Sequence, residues 1–254
     1  MNEIVLYFAL KYKGQFDAIY QALKDKEPVD ESLKHELLAR CQSSYVTILD
    51  DDYPERLKQI NCPPFVLFYY GDLSLAATPT ISVIGMRQCS DYGREVTTSL
   101  VKQLVNEDMT IVSGMAIGID GIAHETAIAQ GGHTIAVLGG GIDYPYPKRN
   151  KMLYQELKAH HLIVSEYPFD DVPRRDGFPK RNRIIAGLGD SLLVTEAALR
   201  SGTMITVGFA LEAGKDIFAV PGRIGDAAGC NYLISQGATL VQDAGDILEK
   251  RCFG

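Results

Sequence analysis

Hydrophobic and polar positions change rhythm near residue 45. Before it, Ile4–Leu10, Phe16–Leu23 and Glu31–Cys41 form three short amphipathic stretches, parted by Lys13-Gly14 and punctuated by Pro28 and Asp30. They predict a small helical N-terminal domain over residues 1–44. A fragment of that size cannot bury a core of its own, so it is expected to pack on the rest of the chain or on a partner. From Tyr45 onward, short apolar runs rich in Val and Ile alternate with helical stretches. The runs are 65–70, 80–84, 110–113, 134–138, 162–165, 191–195, 216–220 and 239–241, with helices over 93–106, 119–130, 151–160 and 203–213. Runs of this kind suit strands buried on both faces. Alternation of strand and helix predicts an α/β core over residues 45–254: an extended Rossmann-like, doubly wound, mostly parallel sheet.

In such sheets ligands sit beyond the carboxyl ends of the strands, which directs attention to the residues that follow each run. These are Gly85-Met-Arg87, Gly114-Met-Ala-Ile-Gly118, Gly139-Gly-Gly141, Glu166-Tyr-Pro168, Glu196 to Thr203, and Pro221-Gly222. Two readings stay open for the glycines: turn residues only, or positions where backbone N–H groups approach a phosphate. Ser201 and Thr203, with Gly202 between them, either cap the helix that follows or offer hydroxyl and N–H groups to an anion.

The densest chemistry lies at Phe178-Pro-Lys-Arg-Asn-Arg-Ile-Ile-Ala-Gly-Leu188. Lys180, Arg181, Asn182 and Arg183 follow an aromatic ring and enter an apolar run, with Arg174 and Arg175 just upstream. A charge run can be a solvated face. The alternative is a fixed anion site, because Arg presents a planar fork of donors suited to phosphate and Phe178 offers a face for a base. Arg87 is placed to point into the same crevice.

Charge and composition limit the possibilities. A net charge of −7 over 254 residues argues against non-specific coating of nucleic acid, so any such site must be a local basic pocket. No apolar run approaches the roughly eighteen residues of a membrane span, and nothing at the N-terminus resembles an export signal. Cys41, Cys62, Cys89, Cys230 and Cys252 are scattered and read as reduced thiols of a cytoplasmic protein. His124 and His133 lack partners at metal-ligand spacing, so they read as structural and no metal is expected. Asp120 reads as a charge favoured by a helix N-terminus, and His160-His161 as cations favoured by a C-terminus. There is no Gly-x-Gly-x-x-Gly fingerprint, no P-loop, no His-Glu-x-x-His and no nucleophile elbow, so neither a cofactor nor catalytic machinery is expected.

Seven separated motifs nevertheless carry a resemblance. Tyr53-Pro54, Pro63-Pro64 with Leu67 and Tyr70-Gly-Asp72, Gly85-x-Arg87, Ser113-Gly-x-Ala-x-Gly-Ile-Asp120 with Ala123-His124, the 178–188 run, Glu196-Ala197 with Ser201-Gly-Thr203, and Ala219-Val-Pro-Gly222 occur in order. Over residues 50–242 the chain resembles the DNA-processing protein A (DprA or Smf) family. That resemblance implies a dimeric cytoplasmic protein that binds single-stranded DNA, protects incoming strands in natural transformation and helps load the recombinase RecA. It also implies a pocket formed by Arg87, Arg175, Phe178, Lys180, Arg181, Asn182 and Arg183, with Ser201, Gly202 and Thr203 beside it. Met86 departs from the Ser or Thr usual in that family, removing a hydroxyl. A short form without the family's C-terminal winged-helix-like extension is expected. The rival readings are a nucleotide phosphoribohydrolase, for which Glu196 and Arg200 beside Ser201-Gly-Thr203 are suggestive, and a nucleotide sensor without chemistry.

Overall fold

A computed structural model describes residues 1–226 and 228–251; Cys252 therefore lies outside the described residues. Three helices open the chain: α1 (Asn2–Lys11), α2 (Phe16–Lys24) and α3 (Glu31–Arg40). The amphipathic pattern understates α1, which buries six consecutive residues, Val5 to Leu10, and so has no solvent face over that stretch. A helix apolar all round must be covered on all sides. Here α2 and α3 cover part of it, and the sheet covers the rest. The helix ends in two left-handed residues, Lys13 (φ 51°) and Gly14 (φ 70°). The Gly14 N–H reaches back to the Ala9 carbonyl at 2.9 Å, the six-to-one bond of a Schellman close.

A strand absent from the sequence reading follows, β1 (Ser44–Thr47), then one short turn of helix, α4 (Glu55–Lys58), and β2 (Val66–Gly71). From there strand and helix alternate as expected: β3 (Thr80–Gly85), α5 (Asp91–Asn106), β4 (Thr110–Ser113), α6 (Ile119–Ala129), β5 (Thr134–Val137), α7 (Lys151–His160), β6 (Leu162–Ser165), α8 (Gly177–Leu188), β7 (Ser191–Glu196), α9 (Gly202–Glu212) and β8 (Asp216–Ala219). The chain closes with α10 (Gly229–Ser235), β9 (Thr239–Leu240) and α11 (Gly245–Arg251).

The strands make one nine-stranded sheet in the order β1-β2-β6-β5-β4-β3-β7-β8-β9. The run from β6 to β9 is parallel, whereas β1 and β2 pair antiparallel at one edge. The sheet is thus mixed and mostly parallel, as the alternating pattern predicts. From β3 the chain steps outward through β4, β5 and β6, then returns to place β7 on the other side of β3. That reversal opens a crevice at the carboxyl ends of β3 and β7, where doubly wound folds hold ligands.

Alternate residues of each strand feed opposite layers. Ile84, Val112, Ile135, Val137, Leu192 and Val194 meet α4, α8 and α9 on one face. On the other, Ile81, Val83, Ile111 and Leu193 meet α5 and α6, while Phe68, Ala136 and Ile163 meet α1 and α7. Polar residues within β3 have a local cause. The Thr80 and Ser82 hydroxyls donate to the Leu188 and Ile185 carbonyls at 2.7 and 2.6 Å, tying β3 to the carbonyl end of α8.

Because α1 shares its core with the sheet, Phe8→Ala should destabilise the whole molecule by about 3–5 kcal/mol. Urea unfolding followed by far-UV circular dichroism is expected to show one transition at lower midpoint; an unshifted main transition would mean that α1 contributes nothing to the core of the sheet.

Candidate nucleic-acid interface

The basic run at the start of α8 divides into buried and exposed side chains, Arg181 and Arg183 against Lys180. Arg181 is buried, and one Nη1 donates to the carbonyls of Gly114, at 2.7 Å, and Val137. Burial pulls its pKa down to about 10, against the opposing pull of Asp120. Arg183 is also buried: Nη1 and Nη2 grip Glu166 Oε1 and Oε2 at 2.8 and 2.6 Å, while Nε donates to the Cys62 carbonyl at 2.9 Å. Burial alone would lower the pKa of Arg183, but the Glu166 carboxylate more than offsets it and the net direction is up. The fork of Arg183 is fully engaged, whereas Arg181, with Nε on Asn182 and Nη1 on the two carbonyls, also lines the crest cavity. Both hold α8 to the ends of β4, β5 and β6.

The solvent-facing set comprises Arg87, Arg174, Arg175 and Lys180, all exposed. Lys180 and Arg174 each approach Asp176 at 3.5 Å, exposed pairs of little net stability that an incoming anion can displace. Arg87 lies over the Phe178 ring at 5.5 Å from its centroid. Tyr146 approaches the other part of that ring at 5.6 Å. Arg87, Phe178, Tyr144, Tyr146 and Arg181 share the wall of a shallow cavity of about 80 Å³. Sequence reasoning missed Tyr146; the available signal was the Tyr144-Pro-Tyr-Pro-Lys-Arg149 stretch beginning three residues after Gly141.

The glycine-rich crest mostly serves packing. A Cβ at Gly139 would lie 2.8 Å from Phe178, at Gly140 2.4 Å from Pro173, and at Gly141 2.3 Å from the Phe169 carbonyl. Gly141 N–H already donates to the Asp171 carbonyl at 2.8 Å. The Asp120 carboxylate, expected as a simple helix-end charge, is buried and accepts from the Gly114 and Ala116 amides at 3.2 and 3.4 Å. It occupies the cradle that a phosphate would otherwise take. Burial raises its pKa, with Arg181 and the two amides pulling the other way.

At the opening of α9, Ser201 stands at the N-cap without a side-chain cap bond and donates instead to the Ala198 carbonyl at 2.8 Å. Thr203 donates to the Gly85 carbonyl at 3.1 Å. Both hydroxyls lock the rim, and only Gly202 stays exposed and open in front. Asn182 bridges α8 to α9 through the Gly202 carbonyl at 3.4 Å. Glu196 accepts from the Ser90 amide at 2.9 Å. Among the described residues no cluster of three metal-ligating side chains occurs.

Fold and crest together define a doubly wound α/β protein with cations and aromatic rings gathered beyond the carboxyl ends of β3, β4 and β5. The chain belongs to the DNA recombination-mediator protein A family, whose model matches residues 44–251. It is 47% identical to the DNA processing protein DprA of Streptococcus pneumoniae over 204 residues, 80% of this chain and 72% of that one. The X-ray structure of the S. pneumoniae protein superposes with a TM-score of 0.82 at 38% identity, covering 98% of this chain and 93% of that chain. DNA processing protein A from Helicobacter pylori, described for its single-stranded DNA binding mode, matches with a TM-score of 0.75 at 30% identity, over 83% of this chain and 97% of that one. The family resemblance carried by the seven motifs is thereby confirmed.

Two outcomes are expected. Glu166→Ala leaves the Arg183 charge buried without its carboxylate and should cost about 3–5 kcal/mol, much of it recovered in a Glu166→Ala/Arg183→Met double variant. Additive losses in a double-mutant cycle would contradict this coupling. The second concerns His124, fully buried, whose Nδ1 lies 2.6 Å from Thr134 Oγ1. That hydroxyl already donates to Ile111 at 2.7 Å, so Nδ1 carries the proton and a charge at Nε2 would be unpaired. Burial pushes the His124 pKa down to about 3. Below pH 6.5 the unfolded chain binds a proton that the native state refuses, so stability falls with pH at up to about 1.4 kcal/mol per unit. Urea unfolding at pH 7 and pH 5 should show this loss, and His124→Asn should reduce it.

Proposed function

We propose that this chain binds single-stranded DNA at the switch-point crest and acts without chemistry as a recombination mediator. The observation that carries the reading is the Arg87–Phe178–Tyr146 group, with exposed Arg174, Arg175 and Lys180 carried on the adjoining segment 174–180 of a molecule of net negative charge. The binding mode described for the H. pylori relative supports it. Phe178 and Tyr146 provide faces for bases, and exposed Arg87, Arg175 and Lys180 meet phosphates. Asn182, Gly202 and the inward-turned hydroxyls of Ser201 and Thr203 shape the rim, while Arg181 and Arg183 hold its floor.

Homodimerisation and RecA loading complete the proposal. Exposed Ile205, Leu211, Tyr232 and Leu240 in the C-terminal half offer apolar surface for such contacts. A DNA ligand supports a cytoplasmic location as part of the proposal. Among the described residues no helix is long and apolar enough to cross a membrane. Residues 1–44 are treated as a helical appendage of the core. Against a phosphoribohydrolase, the Glu196 carboxylate is already engaged by the Ser90 amide, so no release of base from nucleoside monophosphates is expected.

Each neutralised phosphate contributes about −0.7 to the slope of log affinity against log salt for a single strand. With Arg87, Arg175 and Lys180 as the contacts, the slope should be about −2, and a duplex should bind far more weakly. Phe178→Ala should weaken binding by about tenfold, and Arg87→Glu should nearly abolish it. Fluorescence anisotropy on labelled oligothymidylate measures all three; equal affinity of wild type and Arg87→Glu would overturn the assignment.

A further inference from the structure

A second cavity, of about 410 Å³, lies on the opposite side of the first turn of α8. It shares Gly139 and Gly140 with the small crest cavity, so the two are neighbours across residues 173–178. At this volume it can enclose a ligand of nucleotide size, which the 80 Å³ crest cavity cannot. Phe16, Tyr167 and Phe209 give it aromatic walls, and the Glu166–Arg183 pair lies in its lining.

The N-terminal helices build one side of it. Gly14 packs so closely on β6 that a Cβ would fall 2.0 Å from the Glu166 carbonyl. That seat, in the left-handed turn closing α1, brings Lys13 to the rim, where Nζ meets Asp171 at 2.9 Å with its side chain 54% exposed. Arg174 and Lys180 stand on the same rim and are similarly exposed, at 64% and 56%. Three cations held only by exposed carboxylates, around an aromatic-walled hollow, match a ligand with a planar ring and a phosphate.

We infer that this cavity is a second nucleotide subsite, completed by the Lys13–Phe16 turn, which receives the base and phosphate of a nucleotide next to the one held at the crest. The inference rests on the single-strand reading above. The strand crosses the first turn of α8 between the two sites, and the N-terminal helices thereby become part of the DNA-binding surface. A free nucleoside monophosphate offers the same chemistry and is distinguished by experiment.

Cys62 is exposed and lines this cavity, which supplies a local readout. The full chain is treated with a maleimide, and modification of Cys62 is followed by mass spectrometry, alone, with saturating oligothymidylates of increasing length, and with thymidine monophosphate. Short oligomers are expected to bind without protecting Cys62, and longer ones to protect it. In Lys13→Glu the protection should be lost and the salt slope for long oligomers should shrink by about 0.7, with short oligomers unaffected. Arg87→Glu should remove binding of both. Protection by the monophosphate but not by the strand would confirm a nucleotide site and overturn its place on the strand's path. Failure of any strand to bind would sink the single-strand reading while the monophosphate arm still tests the cavity. Equal modification rates at Cys62 under saturating strand and monophosphate would overturn the subsite.

Discussion

A buried carboxylate at the end of β6 meets a buried guanidinium from α8, and the placement of everything at the crest depends on that meeting. Glu166 and Arg183 exchange two hydrogen bonds at 2.6–2.8 Å while both are nearly inaccessible. Neither charge tolerates this environment alone, because desolvation of either ion costs several kcal/mol. The fork geometry also fixes orientation, which a single contact would not. Arg183 further binds the carbonyls of Cys62 and Lys180, tying α8 to the loop before β2. With the helix so anchored, Phe178 and Lys180 one turn earlier are held at a fixed height above the glycine crest. Gly14 rests on the backbone of the same Glu166, so the N-terminal helices take their position from this pair as well.

The crest illustrates how a motif associated with anions can be internally satisfied. Asp120 sits in the amide cradle after β4, and Arg181 fills the carbonyls around it. Buried ions in such arrangements set conformation more than affinity. What remains for a ligand lies one layer further out, in side chains with ordinary exposure. Binding as proposed there would rely on stacking and weakly held surface cations, an arrangement tolerant of base identity.

Much of this was legible in the sequence. Long Val- and Ile-rich runs with intervening helices define the parallel strands, and their limits agree with the structure to within a residue or so. β1 escaped because Ser-Tyr-Val-Thr is short, lies at an edge, and exposes its first two residues. Ile4–Leu10 was legible as a helix, but six buried residues in a row leave α1 without the solvent face that an amphipathic pattern implies. At the site, charge density in Lys180-Arg-Asn-Arg183 marked the right helix, but one-dimensional spacing could not say which cations face in. Positions 181 and 183 are both buried, but Arg183 finds Glu166 seventeen residues away, while Arg181 finds the Gly114 and Val137 carbonyls in other elements. Tyr146 is likewise remote in sequence from Phe178, and only tertiary packing brings their rings together.

The gathering of exposed Arg174, Arg175 and Lys180 around the start of α8, with Arg87 nearby, has a consequence for the proposed path of a strand. With a net charge of −7 the molecule as a whole does not attract phosphates. On the proposed reading a strand would then be gripped at one place and its flanking nucleotides left bare. A clamp of that kind would mark a strand without sheathing it, so that any protein polymerising on the same DNA would find its template open.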